Sequence, residues 1–153
     1  MFRKFVFLPI LILALAGAAI LMGATADSRF IGSSRCRDCH QKEYEKWRES
    51  AHAKSAAPIS EKERKQVRCQ LCHTTADGRF QEVGCEACHG GGRYYSYENV
   101  MRDRDLSRLL GFEPADVNTC RKCHAKEGAK LRTFDEKKAM ESIRHWGDGG
   151  EKK

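Results

Sequence analysis

Cys36-Arg37-Asp38-Cys39-His40 is the first of four copies of one pattern. The others are Cys69-Gln70-Leu71-Cys72-His73, Cys85-Glu86-Ala87-Cys88-His89 and Cys120-Arg121-Lys122-Cys123-His124. Together they use all eight cysteines of the chain and four of its six histidines. Cys-x-x-Cys-His is the attachment sequence of c-type haem. The two thiols add across the vinyl groups, and the adjacent imidazole reaches the iron. Zinc ribbons, thioredoxin-type motifs and disulfide frameworks also use paired cysteines. None of them demands a histidine after every pair. Four motifs therefore predict four covalent haem c groups. Cys36, Cys39, Cys69, Cys72, Cys85, Cys88, Cys120 and Cys123 are the expected attachment points. His40, His73, His89 and His124 are the expected proximal iron ligands.

Residues 1–26 read as an export signal. Arg3 and Lys4 form a short basic start, an apolar run extends from Phe5 to about Ala24, and Ala24-Thr25-Ala26 has the small-x-small form that signal peptidase cuts. The same run is long enough to serve as an uncleaved membrane tether. Either outcome puts residues 27–153 outside the cytoplasm, in a bacterial periplasm, soluble or tethered to the inner membrane. Covalent haem attachment takes place on that side.

The segment 27–153 is one small domain, poor in aliphatic residues and dense in charge, so its own side chains can build only a thin core. Four large, flat, apolar haems change that account. The apo chain is expected to be largely unfolded, with haem incorporation driving folding as structural metals do. Of 28 basic and 21 acidic residues, removal of 1–26 takes only Arg3 and Lys4, leaving 26 and 21, or +5. Eight propionates would bring that to about −3. Nucleic acid is excluded as a partner by export and by the interleaving of acidic with basic residues.

The fold class expected is mainly α with long loops, a small multihaem cytochrome c domain organised around four haems. Gln41–Ala53 reads as a helix, with Tyr44, Trp47 and Ala51 on one face. Ser60–Val67 reads as a short charged helix capped by Ser60. Gly78 and Gly84 make the stretch between the second and third motifs a loop. Gly90-Gly91-Gly92 is expected to let backbone pass close to a porphyrin face. Glu98–Leu110 and Asp135–Trp146 read as two further helices. The motif spacing is irregular, which excludes a solenoid.

Each haem iron has two axial positions. With four histidines spent on proximal ligation, only His52 and His145 remain as distal candidates. At least two distal positions must take another group or stay open. His52 lies twelve residues beyond His40, about 18 Å of rise on a continuous helix, so it is expected to serve a different haem. Solvent-facing roles are the alternatives for His52, beside Glu45, Arg48 and Glu49, and for His145, beside Lys138 and Glu141. Met101 and Met140 could supply thioether ligands, although helical methionine is more often plain packing. Tyr94, Tyr95, Tyr97 and Trp47 are expected to wall haems.

These residues resemble the tetrahaem cytochrome c-554 family. The likeness runs through Tyr44-x-x-Trp47-x-x-Ser50-x-His52-Ala53 after the first motif and Val83-Gly84-Cys85-Glu86-Ala87-Cys88-His89-Gly90 around the third. It continues through the fourth motif, Phe134-Asp135 and Ile143-Arg144-His145. The resemblance implies helices and loops around closely packed haems, with His52 and His145 as distal ligands. Most haems of that family are bis-histidine and one is five-coordinate. The present chain departs in having two spare histidines where three bis-histidine haems need three.

The function expected is periplasmic electron transfer between redox partner proteins of the periplasm or inner membrane. About 32 residues per haem, from 127 residues and four motifs, forces the haems close together. The competing expectation is an enzyme that uses an open iron on a small nitrogen or sulfur compound. No distal proton donor is identifiable by motif, which favours the carrier. A subunit that receives its missing ligand from a partner chain is a further option.

Overall fold

The computed structural model describes residues 29–124 and 134–145. The expected export segment, residues 1–26, lies outside the described residues. Short helices separated by loops make up the described chain, and an isolated antiparallel bridge between Thr75 and Phe80 is its one β pairing. This agrees with a mainly α domain with long loops.

Side-chain hydrogen bonds cut the helices shorter than their periodicity predicts. Helix α1, Ser33–Cys36, leads into the first motif, and α2, Gln41–Glu49, follows it. The helix expected to run to Ala53 stops at Ser50, whose ψ of 164° is extended. The Ser50 hydroxyl then accepts the Ala53 N–H at 3.5 Å, opening a separate 3₁₀ turn over His52–Lys54. Serine competes with helix continuation in this way. His52 is therefore off the helix that carries Tyr44 and Trp47.

Ser60 forms a full capping box with Glu63, and α3 covers Glu61–Arg64. The chain breaks again at Gln66, and α4, Val67–His73, carries the second motif. The third motif is α5, Cys85–His89. The single helix expected over Glu98–Leu110 is two, α6 (Glu98–Met101) and α7 (Arg104–Leu109). Asp103 divides them, since its carboxylate caps the N–H groups of Asp105 and Leu106 at 3.1 and 3.0 Å. The fourth motif ends α8, Val117–His124. Helix α9, Glu136–Ile143, starts with Asp135 accepting the Lys138 N–H and ends at Arg144. His145 thus stands past the helix rather than on it, and Trp146 lies outside the described residues.

The glycine triplet after the third motif admits other backbone. A Cβ on Gly90, where φ is +77°, would sit 2.4 Å from the Gly111 carbonyl oxygen, and one on Gly91 would sit 2.9 Å from that of Arg29. Among the described residues the buried apolar side chains are only Ala56, Tyr95 and Val100. Ser33, Thr74, Thr75, Glu86 and Ser107 are buried beside them, while Val67, Leu71, Tyr94, Tyr97 and Leu109 are exposed. So little apolar burial falls short of the conformational entropy of ordering the chain. A polypeptide of this kind needs apolar groups of another origin as its core.

Candidate haem centres

Cysteines at i and i+3 share a helix face, and the histidine at i+4 stands above the first of them. Helices α4, α5 and α8 each end on their motif histidine. The first motif spans the end of α1 and a turn, with the His40 N–H bonded to the Cys36 carbonyl at 2.9 Å, the same i to i+4 contact. All four motifs thus present two thiols and an imidazole from one helical turn. None of the eight cysteines is in a disulfide. Among the described residues no three histidine, cysteine or acidic side chains converge as a zinc site requires.

Two motif histidines are oriented by backbone carbonyls. His73 Nδ1 lies 2.6 Å from the Ser55 carbonyl oxygen, and His89 Nδ1 lies 3.0 Å from that of Glu113. A carbonyl only accepts, so Nδ1 carries the proton in each ring and Nε2 is left with its lone pair for a metal. The His89 ring is stacked on Phe112 at 5.4 Å, and the His124 ring on Phe134 at 4.3 Å.

The two histidines outside the motifs each face a motif histidine. The ring centres of His52 and His124 are 6.1 Å apart, and those of His89 and His145 are 6.3 Å apart. Metal–imidazole bonds are about 2.0–2.1 Å long, and a ring centre lies about 1.1 Å behind its nitrogen, so two imidazoles in line across one metal have centres about 6.3 Å apart. The two pairs match that separation. Burial, and secondarily His124, pushes the His52 imidazole below its ordinary range; burial, then His89 and Lys46, do the same for His145. Both shifts favour the neutral imidazole, the form that binds metal.

The motifs are also neighbours of one another. Cys36 and Cys85 act on each other: Cys85, then burial, holds the Cys36 thiol well above the usual thiol range, and Cys36 brings Cys85 down to about 7. Cys88 is raised by burial and then by the charge of Cys120. The Cys123 thiol reaches the Leu71 carbonyl at 3.4 Å. The first and third motifs and the second and fourth are therefore neighbours, and the third and fourth are within electrostatic reach.

The other residues singled out in the sequence are placed as follows. Met140 Sδ lies 3.8 Å from Cys120 Sγ, beside the fourth attachment site. Trp47 donates its indole N–H to the Val83 carbonyl at 2.9 Å and tilts against Tyr44. Tyr95 is buried with its hydroxyl on the Gly90 carbonyl at 2.8 Å, whereas Tyr94 and Tyr97 are exposed. Ser55 and Glu113 were not foreseen, because they orient histidines through carbonyls, which leave no mark in a sequence.

The thiol pairs, the lone-paired Nε2 atoms, the spacing of the two imidazole pairs and the thin polypeptide core all fit covalent haem. Residues 35–90, which hold the first three motifs, match the family described as cytochrome c554 and c-prime. Over that segment the chain is similar to the cytochrome c554 and c-prime family. It is also 31% identical, over 140 residues, to cytochrome c-554 of Nitrosomonas europaea. That alignment covers 73% of this chain and 57% of the relative, so the chain spans little more than half of that protein's length. No solved structure matches the chain significantly. The family is one of c-type cytochromes, which carry haem covalently. Among the described residues no helix is long and apolar enough to cross a membrane.

Proposed function

We propose that the chain is an exported tetrahaem c-type cytochrome that passes electrons between redox proteins of the periplasm or inner membrane. The observation that carries this reading is the pairing of His52 with His124 and of His89 with His145 at the separation of two axial ligands. Haem, when bound, supplies a reversible one-electron change at its iron. The chain's own residues do the rest. The eight thiols would tether the groups and the four motif histidines would ligate them, with His145 joining His89 at the third centre and His52 joining His124 at the fourth. Ser55 and Glu113 hold the imidazoles of His73 and His89 in place through their carbonyls. Ligands fixed on both sides keep reorganisation small, as outer-sphere transfer requires. The adjacency of the attachment sites supports a route in the order one, three, four, two.

One further feature favours a second reading. With His52 and His145 assigned, no histidine of the sequence remains for the iron positions of His40 and His73. A centre without a second strong ligand can take a small molecule, which is the requirement for enzymatic chemistry on a nitrogen or sulfur compound.

The experiment is electron paramagnetic resonance of the oxidised holoprotein, quantified per haem, with the haem number fixed by intact mass. Four haems with two low-spin bis-histidine signals support the proposal. A colourless protein, or one without bis-histidine signals, overturns it. A substantial high-spin fraction that shifts with added nitric oxide would direct attention to the second reading.

A further inference from the structure

Glu86 occupies the first variable place of the third motif, where haem attachment makes no demand on residue type. It is nevertheless only 3% exposed. Its Oε1 accepts the N–H of Ile31 at 2.8 Å and of Gly92 at 2.7 Å, and its Oε2 accepts the N–H of Gly32 at 2.7 Å. Three donors on two oxygens suit the ionised carboxylate, which only accepts.

The donors tie together two attachment segments. Ile31 and Gly32 are the last residues before α1, which carries Cys36, whereas Gly92 follows the third motif. The seam is closed beside them by Ser33, whose hydroxyl accepts the Cys85 N–H at 3.2 Å. It is also tightly built. A Cβ on Gly92 would come 3.2 Å from Glu86 Oε1, and Gly32 presents its N–H from a φ of +88°. Glu86 also bears on the thiols of both motifs, raising Cys36 and Cys85 after larger causes.

We propose that Glu86 is a positioning residue whose buried negative charge, held at the seam between the first and third attachment segments, lowers the reduction potentials of those two haems. A fixed negative charge favours the more positive, oxidised iron over the iron that has gained one electron, and low-dielectric surroundings strengthen the effect. The second and fourth haems hang from segments to which Glu86 is not bonded, so their potentials are expected to respond less. This inference rests on the haem reading proposed above.

The test compares wild-type holoprotein with Glu86→Gln, which keeps the shape and removes the charge, and with Glu86→Asp, which keeps the charge and shortens the reach. Haem number is read by intact mass and the four potentials by spectroelectrochemistry. Glu86→Gln should retain four haems and shift two of the four potentials upward together. Glu86→Asp should stay close to wild type in potential. Four attached haems with unmoved potentials, or an equal shift of all four, would overturn the proposal. A wild-type chain without haem would instead overturn the underlying reading. Should Glu86→Gln fail to load, Glu86→Ser, which is neutral and leaves room for water on the three N–H groups, decides: two of its four potentials should lie above wild type, and four unmoved potentials overturn the proposal.

Discussion

Ser55 and His73 are bonded in both directions. The Ser55 hydroxyl donates to the His73 carbonyl at 2.8 Å, and the His73 ring nitrogen Nδ1 meets the Ser55 carbonyl at 2.6 Å. The same hydroxyl accepts the Val83 N–H at 2.8 Å, which also reaches the His52 carbonyl at 3.1 Å. One turn thus supports a candidate proximal ligand of the second haem and a candidate distal ligand of the fourth. Ser55→Ala removes two part-buried hydrogen bonds and leaves the Ser55 carbonyl in place. It should keep four haems and cost about 1–3 kcal/mol in guanidinium unfolding of the holoprotein. A midpoint equal to wild type would show that the bracket contributes nothing.

The imidazole pairs make a prediction that is sensitive to which histidine faces which. His52→Ala and His145→Ala should each convert one low-spin haem per chain to high-spin, and the double variant should convert two. Additivity is expected because the pairs involve different motifs, the fourth and the third. A double variant with no more high-spin iron than either single one would mean that both histidines serve the same centre.

What the sequence disclosed follows the range of the interaction that carries it. Attachment of haem needs two thiols and an imidazole in fixed local order, so the eight cysteines and four histidines could be read directly. Counting histidines singled out His52 and His145. Their partners could not be read, because the 3₁₀ turn at His52 and the segment after α9 are brought to α8 and α5 by tertiary packing. The helix breaks at Ser50 and Asp103 were missed for a different reason. Periodicity reports the apolar face, whereas these breaks come from short polar side chains that capture backbone N–H groups. Glu86 was hidden by its place at a position the motif leaves free.

The thin core predicts how the chain behaves without its cofactor. With only Ala56, Tyr95 and Val100 as buried apolar residues among those described, residues 27–153 made in a host that cannot attach haem should show the far-ultraviolet circular dichroism of a largely disordered chain. The loaded protein should be helical and melt cooperatively. A cooperative thermal transition in the haem-free chain would show that the polypeptide supplies a sufficient core by itself.

The contact between Arg121 and Glu136 predicts an acid dependence. Arg121 Nε and one terminal nitrogen meet the two Glu136 carboxylate oxygens at 2.6 and 2.7 Å, joining the fourth motif to the first turn of α9, the helix that leads to His145. The hydrogen bond from Arg121 is the main cause that holds Glu136 below its ordinary range; burial opposes it, and the Arg121 charge adds to it. A carboxyl depressed in the folded state binds protons less readily there than in the undocked chain. Its support is therefore fully present above the ordinary carboxylate range, about pH 4.3, and disappears as pH falls through the lower folded value. Acidification below about pH 4 should loosen α9 and raise the high-spin fraction from the third haem. Glu136→Gln should show part of that rise already at neutral pH and a flatter acid limb. The pair is solvent-exposed, so its share is modest and added salt should mimic the substitution in the wild-type protein. Superimposable spin-state titrations of the two proteins would assign the acid transition to other carboxyls.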